Sequence, residues 1–180
     1  MTLGAPEPLS ERHVVSAFVC GRAALDTWLK QRALRNQASG AARTFVVCDG
    51  ERVIAYYALA SSAVAPTLAT GRMRRNMPDP IPVVILARLA VDGAYQGRGL
   101  GRALMQDAGQ RILNAADAIG IRGVLVQALD ETARAFYTRL GFDPSPLDPM
   151  TLMITLTDLR ASLAPSSLSD FPGAARHCRR

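Results

Sequence analysis

Gln96-Gly97-Arg98-Gly99-Leu100-Gly101 is the stretch on which the reading of this sequence turns. An apolar run at residues 83–91, interrupted only by Arg88, precedes it and reads as a buried strand. A helical pattern follows at residues 99–118, with Leu100, Ala103, Leu104, Ala108, Ile112 and Ala115 on one side. Strand, glycine-rich turn and helix in that order make an anion site. The N–H groups of a first helical turn have no intrahelical partners, and the helix dipole adds roughly half a positive charge there. Glycines at 97, 99 and 101 let a phosphate approach the backbone without side-chain obstruction, and Arg98 and Arg102 add charge at the rim.

Other folds use the same physics. A P-loop ends in Gly-Lys-Ser/Thr, whereas this turn ends in Gly101-Arg102-Ala103. A dinucleotide fingerprint opens its domain and presents an acidic ribose ligand about 20 residues on. Here the turn lies mid-chain behind a hairpin, and no suitable strand-terminal acid follows. A plain helix cap is the bland alternative.

Upstream, residues 44–48 and 53–60 read as two strands, with Asp49-Gly50 marking a tight hairpin turn. Before them, residues 23–38 carry Leu25, Trp28, Leu29, Ala33 and Leu34 at helical spacing, and Gly40 is the stop signal. A further short helix is expected at residues 11–18. Residues 65–82 read as a loop, with Pro66, Gly71, Pro78, Pro80 and Pro82 beside Arg72, Arg74 and Arg75. Downstream come a strand at 124–128, a helix at 132–140 and a last strand at 151–156. Helices interleaved with strands predict an α/β architecture around one sheet, a single domain at residues 1–163. Residues 164–180 lose the periodicity and read as a flexible tail.

The 180 residues are 49% hydrophobic and 20% charged, which suits a globular chain and not a disordered one. No apolar run reaches the roughly 20 residues that span a bilayer, and the N-terminus lacks a signal-peptide pattern, so a cytoplasmic protein is expected. Cys20, Cys48 and Cys178 form no disulfide framework, and His13 and His177 stand at opposite ends, so no metal is expected. The net charge of +6 is almost all arginine, Lys30 being the only lysine. Arginine suits a polyanionic ligand, although a GC-rich genome produces the same bias.

The turn resembles the Gln/Arg-x-x-Gly-x-Gly/Ala pyrophosphate loop of the GNAT acetyltransferases. Leu86-Ala87-Arg88-Leu89-Ala90-Val91-Asp92 resembles that family's fourth strand. Ala133-Arg134-Ala135-Phe136-Tyr137-Thr138-Arg139-Leu140-Gly141-Phe142 resembles its last helix and the turn beyond. The resemblance covers residues 44–155 and implies a central, mixed, twisted sheet of about six or seven strands flanked by about four helices. It also implies acetyl-CoA as cofactor, bound by Leu89, Ala90, Val91, Gln96, Gly97, Arg98, Gly99, Leu100, Gly101, Arg102 and Phe136. Main-chain groups of Leu89 and Val91 would pair with the pantetheine arm. Tyr137 falls where the family places a general acid. A phenol of pKa about 10 stays protonated and can donate to a thiolate whose conjugate acid lies at about 8.5.

The fourth strand carries no Glu or His as a general base. An acceptor amine of pKa about 8 needs little help at neutral pH, whereas a lysine amine at about 10.4 is almost wholly protonated. That favours an α-amine. Phe18-Val19-Cys20-Gly21-Arg22 followed by Leu25-Asp26-Thr27-Trp28-Leu29 resembles the pattern of the TacT/AtaT-like toxins within the same family. This narrower resemblance implies aminoacyl-tRNA as acceptor, a block of translation, a cognate ribbon-helix-helix antitoxin as partner, and a homodimer. Arg22, Arg35, Arg72, Arg74, Arg75 and Arg88 are then candidate tRNA contacts. A small-molecule or peptide amine as acceptor, and a non-catalytic coenzyme A-binding module, are the alternatives.

Overall fold

A computed structural model describes residues 3–163; the tail expected at residues 164–180 lies outside them. Seven strands form one mixed sheet in the order β1-β2-β3-β4-β5-β7-β6. They are β1 (Glu7–Pro8), β2 (Arg43–Asp49), β3 (Arg52–Val64), β4 (Ile81–Val91), β5 (Gly123–Gln127), β6 (Asp143–Pro144) and β7 (Thr151–Thr155). The β2–β3 hairpin turns on Gly50-Glu51. Gly50 sits at φ +63° and Glu51 does not, the pattern of a II′ turn, whose twist matches the strands it joins. β4 and β5 pair in parallel from Val83↔Gly123 to Leu86↔Val126, and β7 lies antiparallel to both β5 and β6. A parallel pair needs a long crossover, and α4 (Leu100–Ala116) supplies it.

The described chain forms two compact units: residues 3–58 with 88–107, and residues 59–87 with 108–163. In the first, Phe18, Leu25, Leu29, Ala33, Val46, Val53, Tyr56 and Ala90 make the core. The helix expected at 23–38 is present as α1 (Ala23–Trp28), a π-helical stretch Leu29–Ala33, and α2 (Leu34–Ser39), closed by Gly40 at φ +78°. Its buried residues Leu25, Leu29 and Ala33 are four apart, and in a regular α-helix that spacing drifts by about 40° a step. The wider π turn keeps them facing the core. No helix forms at 11–18. Val14 is drawn instead into a bridge beside Arg52, its N–H donating to Glu51 and its carbonyl accepting from Val53.

The second unit packs Val64, Ala69, Met73, Ile81, Val83, Leu125 and Met153. Two short helices were not expected. α3 (Gly71–Arg74) begins where Thr70 Oγ1 accepts from Met73 N–H, and α6 (Leu156–Ser162) where Thr155 Oγ1 accepts from Asp158 N–H. α5 (Glu131–Arg139) is capped by Asp130. Gly123 is a close-approach site: a Cβ there would stand 2.2 Å from Ile154 O and 2.6 Å from Met73 Cε. Among the described residues, no helix is long and apolar enough to cross a membrane.

Candidate functional site

The glycine-rich turn is rooted on Asp92. This carboxylate is 3% exposed and accepts from Val19 N–H at 3.1 Å, Ala94 N–H at 3.0 Å and Arg52 at 3.3 Å. Burial alone would raise its pKa, but the two N–H donors and the Arg52 charge outweigh burial and leave it below the ordinary carboxylate value. Gly93 N–H donates to Val19 O, so the segment before α1 is stitched to the root of the loop. Gln96 adds the second brace, its Nε2 donating to Cys20 O and to Val91 O, both at 2.9 Å. The Gln96 amide is thus turned into the fold rather than toward a phosphate, and Val91's carbonyl already has a donor.

Beyond Gln96 the backbone opens. Gly97 and Gly99 have φ +76° and +79°, and a Cβ added at either would meet nothing within 4 Å. Left-handed residues alternating with others turn successive N–H groups toward a common concavity, an anion-binding nest. Gly99 stands in the N-cap position of α4, with its carbonyl accepting Ala103 N–H at 3.1 Å and no side chain to cap the helix. The first-turn N–H groups of Leu100, Gly101 and Arg102 are therefore left to a ligand. Arg98 packs over the Tyr95 ring at 5.2 Å and donates to Ala94 O, while Arg102 is exposed at the rim. Open space, paired left-handed glycines and an uncapped 17-residue helix suit the pyrophosphate of a coenzyme A thioester.

Before this loop, β4 presents Leu89 and Val91 half-buried, whereas Ala90 is in the core beside Tyr56. Arg88 lies 5.4 Å over the Trp28 ring, and Trp28 is stacked on Tyr56 at 5.9 Å with an interplanar angle of 9°. The Tyr56 hydroxyl donates to Leu25 O at 2.8 Å. Arg22 precedes α1 and Arg35 lies exposed on α2. Trp28 and Tyr56 were not among the residues expected at the site. Their apolar spacing marks them only as core, and what sets them apart is the cation on β4 that they receive.

In the second unit, Tyr137 is 7% exposed on α5 and packs edge-on to Phe136 at 5.1 Å and to Phe142 at 5.5 Å. No group among the described residues hydrogen-bonds its hydroxyl. Burial raises its pKa, so the phenol is a neutral donor throughout the physiological range. Of the three arginines on the 65–82 segment, Arg72 pairs with Asp158 at 2.6 Å and Arg74 donates to Ala69 O, while Arg75 is exposed. Arg122 fixes this segment by donating to the carbonyls of Arg72 and Met73. These residues share their unit with Tyr137 and Phe136, while Arg22, Arg35 and Arg88 share theirs with the glycine loop.

One further cluster brings Glu7, His13 and Cys48 donor atoms within 4.8 Å of one another. The chemistry of the set is that of a latch. His13 Nδ1 accepts Ser10 N–H at 2.9 Å, which puts the ring proton on Nε2, 2.9 Å from Glu7. The nitrogen facing Glu7 then carries a proton instead of a lone pair. Burial pushes the Cys48 thiol up to about 11, away from the thiolate a metal needs.

A mixed sheet, a parallel pair bridged through a glycine nest and an uncapped helix define an acyl-coenzyme A-binding architecture. The profile of the acetyltransferase (GNAT) domain matches residues 40–144, and the chain belongs to that family and is an acetyltransferase. A Mycobacterium tuberculosis protein described as a tRNA-acetylating toxin is 51% identical over 157 residues, 87% of this chain and 95% of the relative. Among solved structures, AtaT complexed with acetyl-methionyl-tRNAfMet superposes with a TM-score of 0.81 at 29% identity, covering 88% of this chain and 98% of AtaT. A tyrosine-to-phenylalanine variant of AtaT, bound to the C-terminus of the antitoxin AtaR and acetyl-CoA, gives a TM-score of 0.75 at 29% identity, covering 88% and 96%.

Proposed function

We propose that this chain transfers the acetyl group of acetyl-CoA to the α-amine of aminoacyl-tRNA and thereby blocks translation. The observation that carries the acceptor is the 51% likeness to a tRNA-acetylating toxin along 95% of that relative's length. The donor half rests on the nest at Gly97 and Gly99. Acetyl-CoA, when bound, supplies a thioester whose carbonyl carbon a free amine can attack. Leu89 and Val91 line the strand edge along which the pantetheine arm would run, and Gly97, Gly99, Leu100, Gly101 and Arg102 receive the pyrophosphate. As the new C–N bond forms and the C–S bond breaks, Tyr137 Oη gives its proton to the departing sulfur. The acceptor ammonium has already lost one proton to water, which its low pKa permits, and the second proton that the nitrogen sheds on becoming an amide returns through water to the Tyr137 phenol. Arg22, Arg35, Arg74, Arg75 and Arg88 meet tRNA phosphates. The same reading places the enzyme in the cytoplasm with its substrate, in a homodimer, and under a ribbon-helix-helix antitoxin.

The test is transfer of labelled acetyl from acetyl-CoA to bulk aminoacylated tRNA. Charged tRNA should be labelled and uncharged tRNA should not, and Tyr137→Phe should lower kcat by about 100-fold or more while still binding acetyl-CoA. Folded, cofactor-binding protein that labels no charged tRNA overturns the reading.

A further inference from the structure

Arg88 is a half-buried cation on a strand otherwise made of Ile, Pro, Val, Leu and Ala. What it has beneath it is an aromatic platform built from three separate segments. Its guanidinium carbon is 5.4 Å from the Trp28 ring centroid. The indole lies parallel to Tyr56, and Phe18 meets Tyr56 edge-on at 5.5 Å. Tyr56 in turn is tied through its hydroxyl to the backbone of α1 at Leu25, the helix that ends in Trp28. Each ring is therefore held by another, and the guanidinium lies over the indole of this braced set. A guanidinium held over a fixed ring has less rotamer freedom left to lose on meeting a phosphate, and its five donors suit that ligand.

We propose that Trp28 is a positioning residue of the acceptor side: its indole holds the Arg88 guanidinium for a phosphate at the acceptor end of charged tRNA. The inference rests on the aminoacyl-tRNA reading above.

The test is a double-mutant cycle on labelled-acetyl transfer to aminoacylated tRNA, with Trp28→Leu, Arg88→Gln and the pair, and Trp28→Phe as the conservative change. Each single variant should raise KM for charged tRNA about fivefold to thirtyfold, with the loss in KM rather than in kcat. The double variant should be no worse than Arg88→Gln alone, because both remove one contact. Trp28→Phe, which keeps an aromatic face, should recover most of the loss. The slope of log KM against log salt should fall by about 0.7 in Trp28→Leu and in Arg88→Gln alike, as for one single-strand phosphate contact. Losses that multiply in the double variant, or a salt slope unchanged by Trp28→Leu, overturn the proposal. So does a parallel loss of acetyl-CoA affinity, which marks a collapsed helix. Should Trp28→Leu fail to fold, Trp28→Met takes its place in the cycle. Wild-type protein that labels no charged tRNA at all overturns the reading on which the inference stands, a result distinct from each of these.

Discussion

Replacing Asp92 by alanine tests whether the glycine-rich loop is held from its root. Two of the bonds to its carboxylate come from main-chain N–H groups, of Val19 and Ala94, and the third from the half-exposed Arg52. A hydrogen bond to a charged group contributes about 1.5–3 kcal/mol, and a donor left buried without a partner costs a similar amount. Taking the lower figure for each N–H, and at most about 0.5 kcal/mol for a solvent-screened arginine, the loss is about 3–3.5 kcal/mol. Asp92→Asn should lose roughly half as much: Oδ1 still receives Ala94 N–H, but the amide turns an N–H toward Val19 N–H. Urea unfolding should show the midpoint falling with the m-value unchanged, and calorimetric titration should show acetyl-CoA binding at least about tenfold weaker. The pH dependence has a definite sign. The folded pKa is lowered, so this contribution is present above the unfolded value of about 3.9 and is lost as pH falls through the lower folded value. The stability gap between wild type and Asp92→Ala should therefore close on acidification from pH 5 toward pH 2. An alanine variant within about 1 kcal/mol of wild type, with acetyl-CoA affinity intact, would refute the reasoning.

Gly99→Ala should cost about 1–2 kcal/mol of stability from the left-handed backbone alone, since the new methyl group meets nothing in the protein. Its acetyl-CoA affinity should drop at least about tenfold, and an unchanged affinity in a titration would remove the nest from the binding site. Gly123→Ala drives a Cβ against Ile154 O and Met73 Cε, and should lower stability by about 3 kcal/mol in thermal or urea melts. A neutral outcome there would mean the β5–β7 contact is looser than described. The kcat profile of acetyl transfer should rise with deprotonation of an amine of pKa about 8 and stay level to about pH 10, because burial raises the Tyr137 phenol's pKa. A falling limb below pH 9 would contradict a buried, neutral donor.

The glycine loop was legible in the sequence because its signal is local. Left-handed φ at 97 and 99 leaves glycine as the residue of choice, and the apolar stripe of α4 follows at once. The β2–β3 hairpin was legible for the same reason, although its turn is one residue later than expected, at Gly50-Glu51, with Asp49 closing β2. Residues 11–18 were misread as a helix because what decides them is distant: Val14 answers to Glu51 and Val53, and Val19 to Asp92. α6 carried a readable mark, Thr155 three residues before Asp158 with reciprocal bonds between them. Short β1 and β6 carry no periodicity to read. At the site, Gln96 is marked by its place in a motif, but the bracing of Cys20 and Val91 by its amide arises only in the fold. That no described residue bonds the Tyr137 hydroxyl, like the platform under Arg88, belongs to packing and not to spacing.

The position of β7 between β5 and β6 bears on how the enzyme is made. A ribosome releases the chain from its N-terminus at about 5–20 residues per second, so α5, with Tyr137, emerges before Thr151–Thr155. Until that strand exits, β6 has no neighbour to pair with, and Gly141 lacks the Ile154 side chain, which a Cβ added there would meet at 3.6 Å. The nascent polypeptide therefore carries Tyr137 on an unfinished scaffold. Among the described residues, the sheet is complete only once this last-made strand has slotted between β5 and β6.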